Sequence, residues 1–277
     1  MLIREAGWYE NGVTPLDSLV MPDKYPRAAT FDPQWMVDNC MGPNPLWLLE
    51  DLNRDCTFRP GMKVLDLGCG RGMTSIFLAR EHGVEVWASD LWTPAEDNAA
   101  RFEQAGVGDQ VHAVHAEAHA LPFEPEQFDA VVAVDSYHYF GTDDLYVGYL
   151  CEFLKPGGQL SIAVPSLHRE LRDLGGVPEH LRSGLGWQVL SLHTPEWWRF
   201  EWEQTGLVQV TASRAQPDGW LDWKLWCEVC AEHSPDELVR RESRATIPVL
   251  EADRGELLTF ALVTGQKADL RSSPSRQ

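Results

Sequence analysis

The feature that most constrains this chain is an alternation. Between residues 63 and 164, five short apolar runs (63–67, 84–89, 111–115, 129–134 and 159–164) are interleaved with helix-like stretches at 74–82, 94–104 and 145–154. Runs this short and this apolar suit strands buried on both faces. Helical segments between them supply the crossovers that parallel pairing requires. Units of this kind wind into a mostly parallel sheet with helices on both faces. Two later apolar runs, 207–213 and 257–264, bring the expected sheet to seven strands. The chain is therefore expected to be an α/β protein. In such sheets ligands bind beyond the carboxyl ends of the strands, so the residues just after each strand are the ones to inspect.

The flanks read differently. Two short amphipathic helices are expected at 31–39 and 45–53, with the turn cluster MGPN between them, and residues 1–60 form a helical cap ahead of the sheet. The main domain is expected over 61–270, carrying insertions at about 165–193 and 217–255. The first insertion is irregular and the second mostly helical. A helix over 194–205 is announced by Thr194 as N-cap and Pro195 at the first helical position. The tail at 271–277 is expected to be disordered.

Charge narrows the partners. There are 23 basic and 42 acidic residues, a net charge of −19. The short basic cluster Arg240, Arg241 and Arg244 is interleaved with acids, so no patch exists to hold a nucleic-acid backbone. No run of about 18 apolar residues suggests a membrane span. The N-terminus lacks the basic start and apolar stretch of an export signal, which makes the cytoplasm the expected compartment. A small molecule or another protein is left as partner; the sequence does not indicate an oligomeric state. Six cysteines without an export signal are expected to be buried thiols. Cys227 and Cys230 form a C-x-x-C, but no second pair completes a zinc set, and the segment reads as helix, so core packing is expected and no metal.

The turn after the first strand is VLDLGCGRG, residues 64–72. Gly68, Gly70 and Gly72 let the backbone approach a ligand closely. A dinucleotide fingerprint would need glycine at position 73, which is Met73, and Asp66 within the strand would pair badly with a pyrophosphate. Further acids close the later strands: Asp90 the second, Glu117 the third and Asp135 the fourth.

Taken together, VLDLGCGRG, Asp90, the stretch AEAHALPF and the segment LKPGGQLSIAV resemble the class I S-adenosylmethionine-dependent methyltransferases of the small-molecule branch, which includes quinone, sterol and natural-product enzymes. The resemblance implies a Rossmann-like sheet and S-adenosyl-L-methionine as cofactor, with S-adenosyl-L-homocysteine as product. It places Gly68, Cys69 and Gly70 along the methionine part and Asp66 toward the amino group. Asp90 and Leu91 fall to the ribose, Ala116, Glu117 and Ala118 to the adenine edge. Glu117 stands where the commoner residue is Asp, and Ala116 where it is Gly. Asp135 is expected to touch the cofactor or orient its loop.

The implied reaction is an in-line displacement, which calls mainly for alignment and exclusion of water. A base is needed only where the acceptor holds a proton of high pKa. His138 is the candidate base, with packing against aromatic neighbours as its alternative, and Tyr137 is a second catalytic candidate. Tryptophans outside the sheet, with the N-terminal helices and the segments at 165–193 and 217–255, are expected to wall the acceptor pocket. His168 and His193 are possible members. Two other readings stay open: a protein that binds the same cofactor for different chemistry, such as cyclopropane formation or cyclisation, and a non-catalytic binding protein.

Overall fold

The computed structural model describes residues 13–269; the expected tail at 271–277 lies outside them. Seven strands form one sheet: β1 (Lys63–Leu67), β2 (Glu85–Asp90), β3 (Val111–His115), β4 (Phe128–Val134), β5 (Leu154–Leu167), β6 (Val208–Ala215) and β7 (Leu258–Lys267). Their order is β3-β2-β1-β4-β5-β7-β6. The first five pair in parallel, and β7 runs antiparallel to both β5 and β6. The chain builds outward from β1 to β3, then returns to place β4 on the other side of β1. That reversal is the topological switch point, and it opens a crevice above β1 and β4.

The nine helices among the described residues are α1 (Pro33–Asp38), α2 (Pro45–Leu52), α3 (Met73–His82), α4 (Ala95–Gln104), α5 (Tyr146–Phe153), α6 (Glu179–Leu185), α7 (Pro195–Gln204), α8 (Gly219–His233) and α9 (Glu237–Asp253). Three of them begin with the same device, a polar cap followed by proline. Asp32, Asn44 and Thr194 each accept a hydrogen bond from a first-turn N–H of α1, α2 and α7. Proline at the next position loses nothing, because its N–H would have no partner inside the helix.

Strand side chains alternate between two cores. Val64, Val86 and Val132 face one layer, packed against Trp47 of α2, Ile76 and Phe77 of α3, Phe102 of α4 and Trp226 of α8. Leu65, Val131 and Ile162 face the other, against Tyr146 and Leu150 of α5 and Trp198 and Trp202 of α7. Helices thus cover both faces, as the apolar strands require. A third cluster joins α6 and α9 with the end of β5.

One boundary differs from the sequence reading: the fifth strand was expected from residue 159, but Leu154 already pairs with Phe128, and the ladder is irregular before pairing resumes at Gln159 and Ala130. β4 ends at Val134, as expected, and the chain then enters a single 3-10 turn, Tyr137–Tyr139. Cys227 and Cys230 lie buried in α8, all six cysteines are free, and no cluster of potential metal ligands occurs among the described residues.

Candidate active site

A cleft of about 270 Å³ lies across the carboxyl ends of β1 to β4. Its floor is the glycine turn. Gly68 and Gly70 have φ of +74° and +54°, a left-handed region that glycine enters freely. A Cβ on Gly68 would stand 2.4 Å from the Cβ of Ser136, so the turn and the loop after β4 are in direct contact. The Ser136 hydroxyl fixes that contact by donating to the carbonyl of Leu67 at 2.6 Å.

Asp90 ends β2 and organises the turn. Its Oδ2 accepts from the Gly70 N–H at 2.9 Å, and its Oδ1 accepts from the N–H groups of Trp92 and Thr93, both at 2.8 Å. A carboxylate offers about four acceptor positions, so three backbone donors leave one for a ligand. Cys69, Leu91, Ala116, Glu117, Ala118 and Asp135 also line the cleft. The Glu117 carboxylate is turned along the wall, accepting from the His119 N–H at 3.0 Å and sharing a 2.8 Å hydrogen bond with its ring. These contacts hold its carboxyl below the usual range.

Asp66 is placed differently. It is fully buried beneath the turn and does not line the cleft. Thr74 and Ser75 of α3 both donate to its Oδ2 at 2.6 Å, and its Oδ1 is buried without a partner. Burial pushes its carboxyl up to about 6, against the pull of the two hydroxyls.

Two expected catalytic residues are not brought to the cleft. Tyr137 is enclosed by Phe140, Tyr146, Trp198 and Trp202, its hydroxyl buried without a partner. His138 is buried with its ring on Tyr139 at 4.1 Å, and burial pushes it down to about 4. The cause is the 3-10 turn, which points Tyr139 and Phe140 to the cleft instead. The segments 165–193 and 217–255 do not line it either. His168 belongs to a separate surface cleft with Glu170, Trp197 and Phe200, while His193 stacks on Trp197 and bonds Glu170. Helices α8 and α9 act from behind. Trp226 donates to the Gly42 carbonyl at 2.7 Å, and Asp236 holds Arg71 at 3.0 Å.

The N-terminal region, expected to help wall the pocket, supplies the other wall. Asn39, Met41, Gly42, Pro43 and Pro45 of the N-terminal segment close the cleft opposite β4. Arg71 ties this segment to the glycine turn by donating to the carbonyls of Asp38 and Cys40. Ser89 and Trp92, flanking Asp90, were missed, although their place at a strand end was signal enough.

The cleft thus sits at the switch point of a parallel sheet, floored by a glycine turn and lined by carboxyl groups, and the chain is an α/β protein. The family described as "Methyltransferase domain" matches residues 64–158. Methyltransferase GfsG of Streptomyces halstedii is 32% identical over 166 residues, 58% of this chain and 57% of that protein. Ubiquinone biosynthesis O-methyltransferase of Chelativorans sp. is 31% identical over 115 residues, 42% of this chain and 44% of that one. The chain thus spans about half the length of these curated relatives. Phosphoethanolamine N-methyltransferase 2 of Haemonchus contortus, solved with S-adenosyl-L-methionine, superposes with a TM-score of 0.70 at 18% identity, over 94% of this chain and 62% of that one, which shows the shared fold. Residues 64–158 thus match a methyltransferase domain, and the whole chain shares the fold of a solved methyltransferase.

The residues present fit that family's cofactor. Gly68 and Gly70 keep the turn close against both walls, since a Cβ would strike Ser136 on one side and press on Met41 on the other. Two orphaned buried oxygens, Asp66 Oδ1 and Ser89 Oγ, await donors, and Ser89 lines the cleft. Buried polar atoms without partners are rare in native structures and call for a missing partner.

Proposed function

We propose that this protein transfers a methyl group from S-adenosylmethionine to a small-molecule acceptor. The observation that carries the reading is the single cleft formed by the glycine turn, Asp90 and the ends of β3 and β4. S-adenosylmethionine supplies an activated methyl group on a sulfonium, so the chain's own task is to bind, align and exclude water. On this reading Gly68, Cys69 and Gly70 would carry the methionine part, with Asp66 reaching its amino group through water. Asp90 and Leu91 would hold the ribose, and Ala116, Glu117 and Ala118 the adenine. Trp92, Tyr139 and Phe140, at the open side of the cleft, would form an apolar wall for the acceptor.

Several of the relatives are O-methyltransferases by name, which supports a hydroxyl acceptor for this chain. The acidic surface argues against nucleic acid as substrate. No helix among the described residues is long and apolar enough to cross a membrane. Six unpaired thiols are in keeping with residence in the cytoplasm.

Calorimetry with S-adenosylmethionine and S-adenosylhomocysteine tests the core of the reading. Micromolar or tighter binding of both is expected, followed by transfer of labelled methyl to a member of a phenol and alcohol panel. If neither ligand binds, the reading fails. If both bind tightly and no acceptor is methylated, the protein is a cofactor-binding protein instead.

A further inference from the structure

Asp135 stands apart from every other carboxyl group in the cleft. It follows β4 with φ of +55°, one of four non-glycine residues with positive φ among those described. Strained backbone of this kind concentrates at functional sites. Its N–H is committed to the Ala163 carbonyl at 2.7 Å, which fixes the backbone and so the direction of the side chain. No hydrogen bond or ion pair among the described residues reaches its carboxyl. By contrast, Asp66 receives two hydroxyls, Asp90 three backbone donors and Glu117 a histidine.

The position is built to hold it there. A Cβ on Gly42 would lie 2.0 Å from Asp135 Oδ2, so the cap leaves space for this carboxyl by having none at that residue. Its neighbour Ser136 packs directly on Gly68. The carboxyl is thus set between the cap and the glycine turn. The other ionisable groups on the cleft are spoken for: Arg71 by Asp236, His119 by Glu117, and Asp90 by backbone. Tyr139 shares the loop, and its hydroxyl is pushed up to about 12 by burial and by Asp135. His138, next along the loop but two, faces away from the cleft.

We propose that Asp135, rather than His138, is the group that takes the acceptor's proton, and that a cationic donor seated beside it favours its charged form. The inference rests on the reading of the cleft as an S-adenosylmethionine site. Burial without a partner pushes the carboxyl up to about 8, so at neutral pH it is mostly protonated in the free protein. A sulfonium alongside favours the charged form and expels that proton. In the reaction the acceptor oxygen forms its bond to the methyl carbon as sulfur keeps the electron pair of the broken S–C bond. The acceptor's proton passes to the Asp135 carboxylate. The base is therefore formed chiefly in the loaded enzyme.

Proton linkage tests this without an acceptor. S-adenosylmethionine and S-adenosylhomocysteine are titrated by calorimetry at pH 7 into wild type, Asp135→Asn and Gly42→Ala, in buffers of differing ionisation enthalpy. Both ligands carry the same amino and carboxyl groups, so their difference isolates the sulfonium. Wild type should release close to one proton more with S-adenosylmethionine than with S-adenosylhomocysteine. Asp135→Asn should bind both and lose that excess. Gly42→Ala, which displaces the carboxyl, should reduce it. Equal excess release by wild type and Asp135→Asn, or none in wild type, overturns the proposal while leaving the cofactor site intact. Failure of either ligand to bind wild type overturns both. With an acceptor in hand, Asp135→Asn should lower kcat at pH 7 by roughly 10²–10⁴, and by less for acceptors acidic enough to arrive ionised.

Discussion

Asp66 offers the sharpest test of how the glycine turn is supported. Its carboxyl is fully buried, and only one oxygen is satisfied, by Thr74 and Ser75. Burial moves its pKa from an ordinary 3.8 to about 6. Above about pH 4 the unfolded chain has lost this proton, whereas the folded chain keeps it until about pH 6. The folded state then binds more protons, so stability falls as pH rises through that window and levels off above it. A shift of about two units at 1.36 kcal/mol per unit makes the loss about 3 kcal/mol. Asp66→Asn removes the titration, and its amide oxygen still accepts from both hydroxyls. Urea unfolding of the two proteins from pH 4 to pH 8 isolates the effect, because the other titrating groups cancel in the difference. The variant should gain about 3 kcal/mol relative to wild type across the window, nearly all between pH 4 and 6. Parallel stability curves would refute the reasoning and place the Asp66 charge in contact with water or a cation.

Gly68→Ala combines a left-handed alanine at about 1–2 kcal/mol with a clash against Ser136 of about 1–3 kcal/mol. Denaturant unfolding should show the sum, and Ser136→Gly in the same chain should recover the clash, so equal costs in both backgrounds would contradict the contact. Asp90→Ala removes the acceptor for three backbone N–H groups. It should weaken S-adenosylhomocysteine binding by about 100-fold or more in calorimetry, given about 1.5–3 kcal/mol for each charged hydrogen bond. His138→Ala should lower the thermal midpoint, as loss of a buried ring does, yet leave methyl transfer within about threefold; a larger loss of kcat would return the base to His138. Removal of residues 1–60 should abolish cooperative unfolding followed by circular dichroism, because Trp47, Leu49 and Leu52 share one core with β1 and β2; a cooperatively folding remnant would make the cap a separable lid.

What the sequence revealed follows from how local each signal was. The five parallel strands were legible because burial on both faces leaves apolar runs, and their ends were legible because turn residues follow at once. The site residues at those ends came with them: Gly68, Gly70, Asp90, Leu91, Glu117 and Asp135 all border the cleft. The direction of side chains past β4 was not legible. Tyr137 and Tyr139 exchange places according to whether the chain extends or coils after Asp135, and the left-handed φ of Asp135 decides it in favour of the coil. The N-terminal region was expected at the pocket, but which of its residues reach it, Met41, Gly42 and Pro43, was not legible. Nothing near them in sequence points to β4; they are brought there by Trp226 holding the Gly42 carbonyl and Arg71 holding those of Asp38 and Cys40. The same long-range packing turns 217–255 into the support of the cap rather than a wall of the pocket.

Charge links the two levels. Asp66 and the absence of glycine at position 73 already spoke against a pyrophosphate, but residue types alone could not say whether nearby cations would reverse the sign. The geometry answers this. Arg71 and His119 are the basic side chains bordering the cleft, and both are engaged, one by Asp236 and the cap carbonyls, the other by Glu117. Facing them are Asp90 with acceptor capacity to spare and Asp135 with no partner, while Asp66 lies below the turn with an unfilled oxygen. An anion entering this space would meet carboxyl groups and no uncommitted cation. A ligand carrying an ammonium and a sulfonium would satisfy two of those groups and, at Asp135, favour the charge that the acceptor's proton requires.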